Sequence, residues 1–185
     1  YTIHCGKAHF GARTTPGENP LNLGFDININ GGAAGAPGTY QGITYFGNAH
    51  DGYPANPFAV PGLEKYYGKD IFLTEALTRE AIKALDKERR ENKPFFLYMA
   101  HYAIHVPLEK DMRFYEKYKR KGLSDNDAAY AALIEGMDKS LGDLMDYLEK
   151  NELMDNTIIL FMSDNGGLAS EPYWRNPLYV QNAPL

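Results

Sequence analysis

The chain has 185 residues, of which 44% are hydrophobic and 13% aromatic, enough apolar surface for one buried core and an ordinary size for one domain. A formal charge of -5 without any basic stripe gives no electrostatic reason to bind nucleic acid or an anionic membrane surface. One cysteine, Cys5, excludes an internal disulfide and a cysteine-rich zinc site, and no stretch approaches the roughly 20 apolar residues of a membrane-spanning helix.

Tyr1-Thr-Ile-His-Cys5 enters directly into a strand pattern, followed by a turn bounded by Gly6 and Gly11 around Lys7 and His9. Residues 12–68 are rich in Gly, Pro, Asn and Tyr, which hold turns rather than regular elements. Irregular connections beyond about 12–15 residues are either functional or disordered. Here Phe25, Tyr40, Tyr45, Phe46, Tyr53, Phe58, Tyr66 and Tyr67 supply apolar area to dock, so an ordered, packed excursion is expected. Leu73, Leu77, Ala81 and Leu85 recur every four residues and predict a helix over about 70–90. Pro94 ends it, and Phe95-Phe-Leu-Tyr-Met-Ala100 reads as a strand. A polar helix is expected over about 110–121. A second, clearer one starts at Ser124, where Ser-Asp-Asn-Asp127 is a variant of the capping box, with Leu133, Met137, Leu141, Leu144 and Leu148 as its buried stripe. Thr157-Ile-Ile-Leu-Phe-Met-Ser163 reads as a last strand, and Asn182-Ala-Pro-Leu185 follows without a closing element, so the chain reads as a piece of a longer protein. Strands alternating with helices predict an α/β fold, a largely parallel sheet flanked by helices.

Three strand ends carry chemistry, and parallel strands deliver their carboxyl ends to one edge of a sheet. Lys7 and His9 would leave the same face of extended backbone and could grip one anion together, a fixed cation beside a titrating imidazole. The plainer reading is a surface lysine beside a hydrogen-bonded histidine. His101 and His105 are spaced as helical ligands would be, but Val106-Pro107 disfavours a helix there. His105 is the better candidate for a hydrogen-bond donor in a site, and for His101 a structural role is an equal alternative. Asp164 and Asn165 precede Gly166 and Gly167. They form either a plain turn or two hard-oxygen ligands for calcium or magnesium, short of the 6–8 oxygens typical of calcium. His4 and His50 are read as structural, and Ser170-Glu-Pro172-Tyr-Trp-Arg175 as a loop.

Taken together, four segments in this order resemble the type I, formylglycine-dependent sulfatases: Gly6-Lys7-Ala8-His9-Phe10-Gly11; Pro94-Phe-Phe-Leu-Tyr-Met with His105-Val-Pro107; Tyr130 with Ile134-Glu-x-Met137-Asp138; and Asn156-Thr-Ile-Ile with Ser163-Asp-Asn-Gly-Gly167. The resemblance implies an incomplete alkaline-phosphatase-like catalytic domain over 1–185 and hydrolysis of sulfate esters, on a glycan or other hydroxylated small molecule, around Ca2+. It implies a formylglycine nucleophile made from Cys or Ser in a Cys/Ser-x-Pro-x-Arg motif. By the same resemblance Lys7 contacts the sulfate, His9 assists the nucleophile hydroxyl, His105 gives a proton to the departing alcohol, and Asp164 and Asn165 are two calcium ligands. The nucleophile motif, an early aspartate pair and a second sulfate-binding lysine are absent from the 185 residues, and Ala8 stands where the family usually has Trp. The isolated chain is therefore expected to be inactive and open to self-association through bare sheet edges. A periplasmic, secreted or lysosomal parent is expected, with Tyr40, Tyr45 and Tyr53 helping to recognise substrate. A phosphate or phosphonate ester hydrolase of the same superfamily and a non-catalytic glycan-binding relative are the alternatives.

Overall fold

Alternation in the first strand, β1 (Thr2–Gly6), decides which way the sheet faces its core. Ile3 and Cys5 point to one side and are fully buried, the Cys5 thiol 3.5 Å from the Leu77 carbonyl oxygen of helix α1 (Leu73–Arg90). His4 points to the other side, its ring met edge-on by Phe10 and Phe25 at 5.5 and 5.3 Å between centroids. A computed structural model of the chain describes residues 1–90 and 93–166. The readings of Gly167, of Ser170 to Arg175 and of Asn182 to Leu185 lie outside those residues.

β1 is the middle strand of a three-stranded parallel sheet, between β2 (Ile27–Ile29) and β3 (Phe96–Ala100), with Ile3 opposite Ile27 and Leu97. The expected α/β architecture is thus present. α1 buries the predicted stripe, Leu73, Leu77, Ala81 and Leu85, together with Ala76, against the Ile3 and Cys5 face. The last helix, α3 (Asp125–Lys150), starts where its capping signal placed it: the Asp127 N–H donates to Ser124 Oγ at 3.2 Å and Ser124 Oγ donates to the Asp127 carboxylate at 2.6 Å. α3 crosses α1 at a buried hydroxyl pair, Thr78 and Ser140, 2.6 Å apart.

Residues 12–68 hold β2 and short 3-10 turns, and Tyr40, Phe46, Val60 and Leu63 from this stretch are fully buried in the same core. The polar helix is shorter than expected, α2 (Tyr115–Lys119), because Asp111 and Arg113 form a paired turn before it. The expected strand Thr157–Ser163 pairs with no described strand, and Ile158 and Leu160 are 88% and 80% exposed. A strand needs a neighbour to satisfy its ladder, and neither free edge of the described sheet takes this run.

Candidate functional site at the carboxyl ends of the strands

At the end of β1 the chain turns against β3. Gly6 has φ +105°, and a Cβ there would overlap the Ala100 carbonyl oxygen. Glycine is the residue that permits both. Directly after it, the Lys7 N–H donates to the same Ala100 oxygen at 2.7 Å, so Lys7 is tied to the last residue of β3. His9 follows with φ 55°, its N–H donating to the Gly32 carbonyl at 2.9 Å beyond β2. Its ring lies so close to Gly35 that a Cβ there would come within 2.7 Å of Nδ1. The same-face argument for Lys7 and His9 therefore does not hold as extended backbone: β1 ends at Gly6, and the left-handed His9 re-aims the second side chain. Lys7 is half-buried and His9 exposed. His4 reaches this turn from beneath, with Nε2 3.3 Å from the Lys7 carbonyl and Nδ1 3.2 Å from Asn28 Oδ1. Burial lowers its pKa against the pull of these two acceptors.

His105 sits on the loop leaving β3, exposed, with its N–H donating to the Tyr102 carbonyl at 2.8 Å. Its Nδ1 is 3.0 Å from the Val106 carbonyl, an oxygen that can only accept, so the Nδ1 proton points at that carbonyl and Nε2 is left for other partners. Two residues that the sequence does not connect with this loop brace it: the buried Tyr40, whose hydroxyl meets the carbonyls of Tyr102 and His105, and Glu109, whose Oε2 accepts from the Tyr40 N–H. Burial raises the Glu109 carboxyl above the ordinary carboxylate range.

The His101 ring is half-buried, with its Nδ1 edge turned inward. Its Nδ1 has no partner among the described residues, and burial of the ring pushes its pKa down to about 4 from 6.5. Stability from keeping it neutral is fully present above pH 6.5 and is lost as pH falls toward about 4. We expect His101→Phe to remove roughly 3 kcal/mol of that acid-side loss. Urea unfolding of the full-length protein at neutral and acid pH would read it, and an equal acid-side slope in wild type and variant would refute the assignment.

Asp164 and Asn165 form a local turn: Asn165 Nδ2 donates to Asp164 Oδ2 at 2.8 Å, and the Gly166 N–H donates to Ser163 Oγ at 3.0 Å with φ 74° at Gly166. Both residues are exposed. Their donors, a carboxylate and an amide oxygen, fit a hard cation such as calcium as part of its shell. Among the described residues no group of three or more His, Cys, Asp or Glu could hold a metal. The structure thus brings together the ends of β1, β2 and β3, with Lys7, His9 and the His105 loop following them, while among the described residues no ladder carries Asp164 and Asn165 to that edge. A shallow depression lined by Ile82, Lys83, Asp86, Lys87 and Tyr147 contains none of these residues.

The sulfatase family profile matches residues 3–184. An uncharacterized sulfatase, YdeN of Escherichia coli, is 31% identical over 154 residues, covering 83% of this chain and 24% of its own length. The dog N-acetylgalactosamine-6-sulfatase is 28% identical over 177 residues, covering 90% of this chain and 31% of its own. The crystal structure of Ps i-CgsB in complex with k-i-k-neocarrahexaose superposes with a TM-score of 0.60 at 27% identity, over 84% of this chain and 35% of that one. The chain therefore spans about a quarter to a third of the length of these relatives. With the parallel sheet and the segments at its strand ends, the match over almost all of its residues establishes that this chain belongs to the sulfatase family.

Proposed function

We propose that the full-length protein hydrolyses sulfate esters of a glycan or another hydroxylated small molecule, and that this chain carries the sulfate-facing part of the site. The observation that supports it most is the Lys7 N–H bond to Ala100, which sets the end of β1 beside the strand leading to His105. The Lys7 ammonium would neutralise sulfate oxygens as charge builds in the transition state. His9 would take or return the proton of the nucleophile hydroxyl, and His105 would give the proton on Nε2 to the leaving alcohol oxygen. Asp164 Oδ and Asn165 Oδ1 would hold calcium jointly with groups outside the chain. When bound, the ion supplies positive charge next to the sulfate, and the formylglycine of the parent supplies the nucleophile. The 185 residues alone would turn over nothing, and the edges at β2 and β3 would favour self-association. No helix among the described residues is long and apolar enough to cross a membrane, and an exported or lysosomal parent is the compartment this chemistry suits.

Substrate recognition would fall to the exposed aromatics of the excursion. Tyr40 is not among them, since it is fully buried. Tyr53 is 68% exposed and is held by a tight turn at Asp51-Gly52, paired with His50, whose ring stacks on Tyr45 at 4.3 Å. Stacking of a sugar on Tyr53 contributes about 1 kcal/mol, so Tyr53→Ala is expected to raise KM for a sulfated oligosaccharide roughly fivefold. An unchanged KM would remove Tyr53 from the substrate surface.

The activity is tested by giving the full-length protein matched aryl sulfate and aryl phosphate esters. A higher kcat/KM for the sulfate is expected, and preference for the phosphate would replace the reading with a phosphohydrolase.

A further inference from the structure

Tyr40 and His105 are far apart in the chain and in contact in the fold. The Tyr40 ring is fully buried and stacks on Phe72 with centroids 5.2 Å apart and planes within 7°. Its hydroxyl stands 2.9 Å from the Tyr102 carbonyl oxygen and 2.7 Å from that of His105. A phenol has one proton and serves one acceptor at a time. The Tyr102 carbonyl already accepts the His105 N–H, so the shorter bond, to His105, is where the hydroxyl matters most. Burial keeps the phenol pKa well above its ordinary value, and the group stays a donor across the working range.

The tyrosine itself cannot easily shift. Its N–H and the Thr39 hydroxyl both donate to Glu109 Oε2 at 2.9 Å, its carbonyl accepts the Leu73 N–H at 2.8 Å, and Gln41 Nε2 donates to the Lys110 carbonyl at 3.3 Å. The loop is thereby gripped at His105 by the hydroxyl and, further along, at Glu109 and Lys110 by the backbone of Tyr40 and its neighbours. We propose that Tyr40 is a positioning residue for sulfate-ester cleavage: by holding the His105 carbonyl, it fixes the imidazole where it can protonate the leaving oxygen. This rests on the reading of His105 as proton donor given above. Proton transfer needs the donor within hydrogen-bond reach of the oxygen, and a displacement of about 1 Å can cost two orders of magnitude. Without the hydroxyl, the His105 carbonyl would have to seek another donor, and the loop would move with it.

The leaving group separates positioning from general damage. An alkyl or sugar sulfate expels a basic alkoxide and needs a proton, whereas 4-nitrophenyl sulfate expels a stable phenolate and needs none. In the full-length protein we expect Tyr40→Phe to lower the ratio of kcat for the alkyl ester to kcat for the nitrophenyl ester roughly tenfold, with KM little changed. Glu109→Ala should lower the same ratio and Glu109→Gln, which keeps an acceptor for both donors, should restore it. A ratio equal to wild type in Tyr40→Phe and Glu109→Ala overturns the inference, as does an equal fall on both esters. His105→Gln locates the failure. If it lowers the ratio while the Tyr40 variant does not, the brace is wrong and His105 stands. If His105→Gln leaves the ratio unchanged, the reading of His105 falls and the brace falls with it.

Discussion

Lys7→Ala in the full-length protein is expected to lower kcat/KM for a sulfate ester by roughly two to three orders of magnitude, the usual cost of removing one group aimed at developing negative charge. The size follows from placement. The backbone of Lys7 is fixed by the Ala100 bond and its carbonyl lies against His4, so the ammonium starts from a rigid base at the strand edge. Neither backbone contact depends on the lysine side chain, so thermal stability should stay close to wild type, and the loss should appear in turnover. Arginine should restore little, because its planar fork meets oxygens in pairs and a point charge on this stem does not. A loss smaller than about tenfold would place Lys7 outside the sulfate's reach.

Gly6→Ala should be the most damaging change to the fold. Its φ of +105° is one that L side chains rarely adopt, and the added Cβ would meet the Ala100 carbonyl, a backbone group that cannot swing away. β1 and β3 would have to separate where Lys7 donates to the same oxygen. We expect a destabilisation of about 3 kcal/mol or more, a large part of the roughly 5–15 kcal/mol that holds a typical domain together. Denaturant unfolding of the full-length protein measures it, and a change below about 1 kcal/mol would mean that the strands do not approach so closely.

Periodicity and punctuation made much of this fold legible. The four-residue recurrence located α1, Pro94 separated it from β3, and Ser124 with Asp127 marked the start of α3 to the residue. β2 was hidden because Ile27-Asn-Ile29 is three residues inside a glycine-rich stretch, held there by a neighbour and by no pattern of its own. Thr157–Ser163 failed in the opposite way: its side chains favour a strand, but a ladder also needs a partner, which a single sequence does not identify. At the site, Lys7, His9 and His105 could be singled out because their chemistry is unusual at strand ends. The same-face relation expected of Lys7 and His9 gives way to a bend, because a positive φ at His9 leaves no mark in residue spacing. The link of Tyr40 and Glu109 to the His105 loop leaves no mark in the sequence, since it runs through hydrogen bonds spanning more than sixty residues. Tyr40, expected at the substrate surface, is instead fully buried, because the tyrosine-rich stretch folds its rings inward as well as outward.

If oxyanion groups and a hard cation meet in one pocket of the parent, aryl sulfate turnover by the full-length protein must follow calcium in a titration after exhaustive chelation. We expect activity to vanish on chelation and return with Ca2+, and Asp164→Ala to need at least roughly tenfold more calcium for half-recovery. Turnover indifferent to chelation, or a calcium dependence identical in wild type and Asp164→Ala, would contradict it.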